Sequence, residues 1–96
     1  SKVCKVLKKD FPNDTIRIEG HTDSDPIKRT KQVYKTNWEL SAMRATTVLH
    51  YLIDNCHLSP KKLYLAGFGK YQPVASNKNK SGKRKNRRVE IVVLTD

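Results

Sequence analysis

The amino-acid sequence predicts an α/β (α+β) domain: a mixed β-sheet with helices packed on one face. Three observations carry this. Short segments at residues 15–19, 63–68 and 88–95 have the alternating or wholly apolar character of strands. A long amphipathic stretch at residues 38–55 opens on a helix-start signature. The order helix, strand, helix, strand, strand then implies a mixed sheet covered by helices. At 96 residues the chain is read as a single domain, 1–96.

Taken in order, Val3, Cys4, Leu7 and Phe11 recur at helical spacing with lysines between them, and Pro12-Asn13-Asp14 stops that helix. Ile16 and Ile18 alternate with Arg17 and Glu19 in a half-buried strand that Gly20 ends. Residues 21–35 are polar and aperiodic, so a loop is expected. Thr36 and Glu39 form a capping box, in which hydroxyl and carboxylate satisfy free N–H groups at a helix start. The apolar stripe Ala45, Val48, Leu49, Leu52, Ile53 and Cys56 follows. Ser59-Pro60 opens a short turn, residues 63–68 form the second strand, and residues 70–87 read as a long connection. In the third strand, Val89, Ile91 and Val93 share one face, and Val92 with Leu94 on the other suggests burial on both sides.

Twenty Lys and Arg against nine Asp and Glu give a net charge of +11, which attracts polyanions of several kinds. A basic nucleic-acid-binding module is therefore the alternative functional reading. The run 78–88 holds seven Lys or Arg in eleven positions, but it lacks aromatic residues that would stack on bases. Lys78, Lys80, Lys83, Arg84 and Lys85 are expected to form a solvated, secondary electrostatic surface. No stretch approaches the ~20 apolar residues of a membrane span. Cys4 and Cys56 read first as two small buried hydrophobes, with one disulfide as the alternative in an oxidising compartment.

Candidate site residues cluster after the first strand and at the front of the long helix. Asp23 lies just past a strand end, and Arg44 lies in the second turn of the next helix, so both can face one rim of the sheet. Free N–H groups at the helix start favour a carboxylate there, and the planar guanidinium matches one in two parallel hydrogen bonds. The pair suits a zwitterionic ligand; equally, Asp23 and Arg44 could simply pair with each other. His21, Asp23 and Asp25 make a poor metal set. Ser41 with His21 and Asp23 lacks an orienting group and an oxyanion hole, so no catalytic residue, metal or cofactor is expected. Trp38 is read as a packing residue at the helix start, with ligand contact as the alternative.

Four motifs stand in register: Gly20-His21-Thr22-Asp23; the N-x-x-L-S-x-x-R-A block from Asn37 to Ala45; the G-x-G-x-x-x-P stretch from Gly67 to Pro73; and the N-R-R-V-E block from Asn86 to Glu90. Over residues 16–93 this pattern resembles the OmpA C-terminal (OmpA/MotB-like) family. The resemblance implies a non-enzymatic module that binds peptidoglycan through the diamino acid of its stem peptide, typically diaminopimelate. Asp23 would hold the ligand ammonium and Arg44 its carboxylate. Asn37, Leu40 and Ser41 would line or shape the pocket, Thr22 would orient the loop, and Arg88 would support the ligand or order Asp23. The expected location is the periplasm of a Gram-negative-type bacterium, within a larger envelope protein. Two departures stand out: Gly82-Lys83 replaces the usual Gly-Arg, and the family's first strand is expected to be missing from an N-terminally truncated fragment.

Overall fold

The computed structural model describes residues 1–28 and 33–95. Helix α1 (Lys2–Asp10) leads into β1 (Thr15–His21), and α2 (Asn37–Asp54) follows. A 3-10 turn (Pro60–Lys62) introduces β2 (Leu63–Gly67), and α3 (Lys80–Asn86) precedes β3 (Arg88–Leu94). The sheet order is β2-β1-β3, with β1 parallel to β2 and antiparallel to β3. The expected mixed sheet is therefore observed.

The pleat of β1 sorts its side chains. Ile16 and Ile18 face the helices and are 3% and 0% exposed, so they anchor the core with Leu7, Ala45, Leu52 and Cys56. Fully burying one such Leu or Ile contributes roughly 1.5–3 kcal/mol. Leu63, Leu65, Val89, Ile91 and Val93 pack around this cluster. Helix α2 starts as expected: the Thr36 hydroxyl and the Glu39 carboxylate form a complete capping box. The Thr36 hydrogen bond is the main reason the Glu39 carboxyl lies below its ordinary range. No described helix is long and apolar enough to cross a membrane.

Several expectations need correction. Cys56 lies in the core and Cys4 packs against it half-buried, but the two are bonded to each other, with Cα atoms 5.1 Å apart. The disulfide ties α1 to the segment just after α2. Strand β1 does not end at Gly20: Gly20 pairs with Gly67 and Val89, and His21 pairs with Arg88. The rest of the expected 21–35 loop is described except at residues 29–32, which lie outside the described residues. The connection 70–87 contains α3, capped by Asn79, whose side chain accepts from the Gly82 N–H at 2.7 Å. The buried residues of α3 are Gly82 and Asn86, four apart, so it has no apolar stripe to betray it. Val92 and Leu94 are only half-buried, as is every residue of β3, because their face of the sheet carries Arg17, Glu19, Arg88 and Glu90 instead of an apolar layer.

Candidate functional site

Two glycines let α2 sit directly on the sheet. A Cβ at Gly20 would lie 1.8 Å from the Ser41 carbonyl oxygen, and one at Gly67 would lie 2.8 Å from the Ala42 nitrogen. The helix backbone therefore touches β1 and β2 where only hydrogen is tolerated. The Ser41 hydroxyl locks this contact: it donates to the Trp38 carbonyl (3.0 Å) and accepts from the Gly69 N–H (2.9 Å). Gly69 turns the chain at φ +60, a conformation glycine adopts freely. Thr22 N–H then reaches the Gly69 carbonyl at 2.9 Å, and Phe68 N–H reaches that of Gly20 at 3.0 Å. These bonds gather the carboxyl ends of both parallel strands and the N-terminus of α2 at one rim.

A pocket opens there, lined by Thr22, Asp23, Asp25, Pro26, Ile27, Lys28, Asn37, Leu40, Arg44 and Arg87. Asn37, Leu40 and Arg44 occupy successive turns on one face of α2. Asn37 Nδ2 donates to the carbonyls of Asp25 (3.1 Å) and Asp23 (3.4 Å), pinning the loop to the helix start. The Thr22 hydroxyl donates to the Asp23 carbonyl at 2.8 Å. The Asp23 side chain is 9% exposed, and its Oδ2 pairs with Arg87 Nη1 at 2.6 Å. Its Oδ1 accepts from the Asp25 N–H at 2.9 Å. Lys83 pairs with Asp25 at 3.0 Å on the rim. Asp23 therefore does not pair with Arg44, and Arg44 has no acidic partner among the described residues. Three cations and two carboxylates line the pocket, which leaves it net positive and able to receive an anionic group beside a cationic one.

The expected site residues thus divide. Thr22, Asp23, Asn37, Leu40 and Arg44 come together. Ser41 is fully buried behind them, its hydroxyl already spent on the backbone. Arg88 points to the opposite face, where it pairs with Glu90 and donates to the carbonyls of Gln72 (3.0 Å) and Asn86 (3.2 Å). Its neighbour Arg87 is the one that orders Asp23. The period of two leading into β3 contained this assignment: Arg87 shares a face with Val89 and the helices, whereas Arg88 shares one with Glu90. The remaining member of that block, Asn86, is fully buried. Its side chain accepts from the N–H groups of Val74 and Ala75 and donates to the Ala75 carbonyl and Asn77 Oδ1. Asn77 Oδ1 also accepts from the Ser24 N–H at 3.3 Å, so the NRR block supports the Asp23 loop from below.

The far face of the sheet carries a separate charged network. Arg17 Nε donates to Glu19 at 2.6 Å, and His21 Nε2 lies 3.2 Å from Glu19 Oε1 and 3.8 Å from Glu90. Burial alone would raise the Glu19 carboxyl, but hydrogen bonds and charge from Arg17 and His21 hold it below its ordinary value. The His21 ring, 2% exposed, stacks on Phe68 with centroids 5.1 Å apart. His21 and Ser41 therefore stand on opposite faces, and no Ser-His-Asp relay is assembled. Glu19, His21 and Glu90 place ligand-type atoms within 4.8 Å of one another, yet Arg17 and Arg88 already neutralise both carboxylates.

Trp38 packs at the start of α2 only in part. Its indole lies over Gly69 and stacks on Tyr71 with centroids 5.1 Å apart, but 51% of the residue remains exposed.

The OmpA family model matches residues 1–87. Motility protein B of Bacillus subtilis is 47% identical over 83 residues, which cover 86% of this chain and 31% of that protein. The C-terminal domain of Helicobacter pylori MotB superposes with a TM-score of 0.90 at 33% identity, covering 99% of this chain and 70% of that one. The cell wall anchor of the T6SS from Pseudomonas aeruginosa superposes with a TM-score of 0.84 at 30% identity, covering 99% and 63%. The chain spans roughly a quarter to a third of the length of curated relatives it matches. Fold, motifs and the match over residues 1–87 agree: the chain belongs to the OmpA family.

Proposed function

We propose that this domain binds peptidoglycan non-covalently through the zwitterionic diamino acid of the stem peptide, of the diaminopimelate type. Its role is to hold a larger envelope protein to the wall. The carrying observation is that Asp23 and Arg44 line one pocket at the N-terminus of α2, with the guanidinium of Arg44 unpaired among the described residues. Arg44 takes the ligand carboxylate in a forked hydrogen bond. Asp23 accepts the ammonium: an ionised carboxylate offers about four lone-pair sites, and Arg87 and the Asp25 N–H use two. Arg87 fixes the Asp23 carboxylate, the part first expected of Arg88. Thr22 and Asn37 hold the loop, Leu40 supplies apolar wall, and Ser41 acts through helix placement. The module is a binder and not an enzyme. The compartment proposed is the wall-facing space of the envelope, the periplasm in a Gram-negative-type cell, and the similarity to a solved cell wall anchor supports it.

The test is co-sedimentation with purified sacculi at moderate salt. Asp23→Ala and Arg44→Ala should each weaken binding about tenfold or more, since a hydrogen bond to a charged group contributes roughly 1.5–3 kcal/mol. Unchanged circular dichroism would establish that both variants fold. Wild-type retention by both would refute the assignment. Binding to an oligonucleotide that collapses as salt rises, with no sacculus binding, would instead favour the nucleic-acid reading.

A further inference from the structure

A second surface adjoins the Asp23 pocket. It is a shallow groove formed by Pro26, Ile27, Trp38 and Tyr71, edged by Lys35 and Lys70. It shares Pro26, Ile27 and Asn37 with the pocket, so the two are continuous. Trp38 and Tyr71 are stacked, 51% and 59% exposed, and held in place from beneath. The indole rests on the Gly69 turn, which is hydrogen-bonded to Ser41 and Thr22. Lys70 Nζ stands 5.7 Å from the Tyr71 ring centroid. Large aromatic side chains ordinarily gain most by burial. Here two of them instead form a stacked, exposed step beside a charged pocket.

We propose that the Trp38–Tyr71 step is a saccharide subsite that takes a pyranose ring of the glycan, an N-acetylated amino sugar, while the Asp23 pocket holds the attached peptide. The proposal rests on the peptidoglycan reading above. A pyranose has the matching form: axial C–H groups make an apolar face, and hydroxyl and acetamido groups make a polar edge. The aromatic faces receive the first, and the Lys35, Lys70 and Ser24 side of the groove receives the second. Trp38 follows Asn37 directly, and Asn37 touches the Asp23 backbone. A short peptide of about three residues, reaching roughly 10 Å when extended, joins neighbouring sites of this kind. Single-stranded nucleic acid also stacks on aromatic rings beside lysines, but continuity with a pocket that pairs a carboxylate with a free guanidinium favours the sugar.

The sequence supplies its own reporter, because Trp38 is the one tryptophan of the chain. The probe is the β-1,4-linked tetramer of N-acetylglucosamine, titrated while Trp38 emission is followed. A saturable change is expected, and it should persist in Asp23→Ala, which cannot hold the peptide. Tyr71→Ala should weaken the tetramer roughly two- to tenfold, the range of one aromatic contact. By calorimetry, wild type should bind a disaccharide-peptide more tightly than the same peptide without sugar, and Tyr71→Ala should erase that difference while leaving the bare peptide unchanged. No emission change at millimolar tetramer, or equal affinity for the two peptides, overturns the subsite. An oligonucleotide that shifts Trp38 emission where the tetramer does not also overturns it. Failure of the peptidoglycan reading itself would show separately, as bare-peptide or sacculus binding that ignores Asp23→Ala and Arg44→Ala.

Discussion

Reducing the Cys4–Cys56 disulfide should remove a large part of the domain's stability. The bond joins residues separated by 52 positions, and the loop-closure entropy it removes from the unfolded chain corresponds to about 4 kcal/mol at 25 °C. A domain of this size is typically stable by roughly 5–15 kcal/mol, so the bond supplies a substantial fraction. For a chain of about 100 residues, each kcal/mol moves the midpoint by roughly 4–8 °C, and the melt should drop by on the order of 15–30 °C. The assay is urea and thermal unfolding followed by far-ultraviolet circular dichroism, with and without reductant, and thiol titration to verify each state. Cys4→Ala/Cys56→Ala should behave like the reduced protein, with a further small loss where the Cys56 sulfur filled the core. The urea dependence should steepen on reduction, because the uncross-linked chain exposes more surface. Oxidised and reduced curves that agree within about 1 kcal/mol would refute the entropic argument.

Gly20→Ala should destabilise by about 1–3 kcal/mol or more, because the new Cβ meets backbone at 1.8 Å. Gly67→Ala, with contacts of 2.8 Å, should cost less. Equal melting of the two variants would show that α2 sits less firmly than its contacts indicate. The depressed Glu19 carboxyl gives an acid dependence with a definite sign. Its contribution is complete above the ordinary carboxyl value and is lost as pH falls through the lower folded value; melts of Glu19→Gln should be flatter below that point, and parallel curves would argue against it. Neutralising the exposed Lys78, Lys80, Arg84 and Lys85 should lower sacculus retention at low salt only, and leave calorimetric affinity for a small diaminopimelate-containing peptide nearly unchanged. Lys83 is left out of that set because it pairs with Asp25 on the pocket rim.

What could be read from the sequence follows the kind of signal each part emits. Helix α2 and the three strands are driven by apolar periodicity, which is visible one residue at a time. Helix α3 is held by a glycine contact and a buried asparagine, so its packing leaves no hydrophobic trace. The disulfide depended on α1 meeting the segment just after α2, a tertiary fact. In the site, Thr22, Asp23, Asn37, Leu40 and Arg44 are brought together from short motifs whose mutual distance no local pattern encodes. The N-R-R motif as a block does not say which of Arg87 and Arg88 reaches Asp23. The alternation of the strand that follows separates the two.

That separation bears on how the segment can change. Asn86, Arg87 and Arg88 are consecutive, yet they serve the 74–77 turn, the Asp23 carboxylate and the far face of the sheet respectively. Side-chain exchange at one of them disturbs one neighbourhood. Deleting or inserting a single residue here turns each side chain toward the wrong neighbourhood and unseats all three at once. The stretch before it meets the rest through Gly82, against the Ser76 backbone, and through the Lys83–Asp25 ion pair. The three-residue junction therefore behaves as a ruler whose markings cannot be shifted.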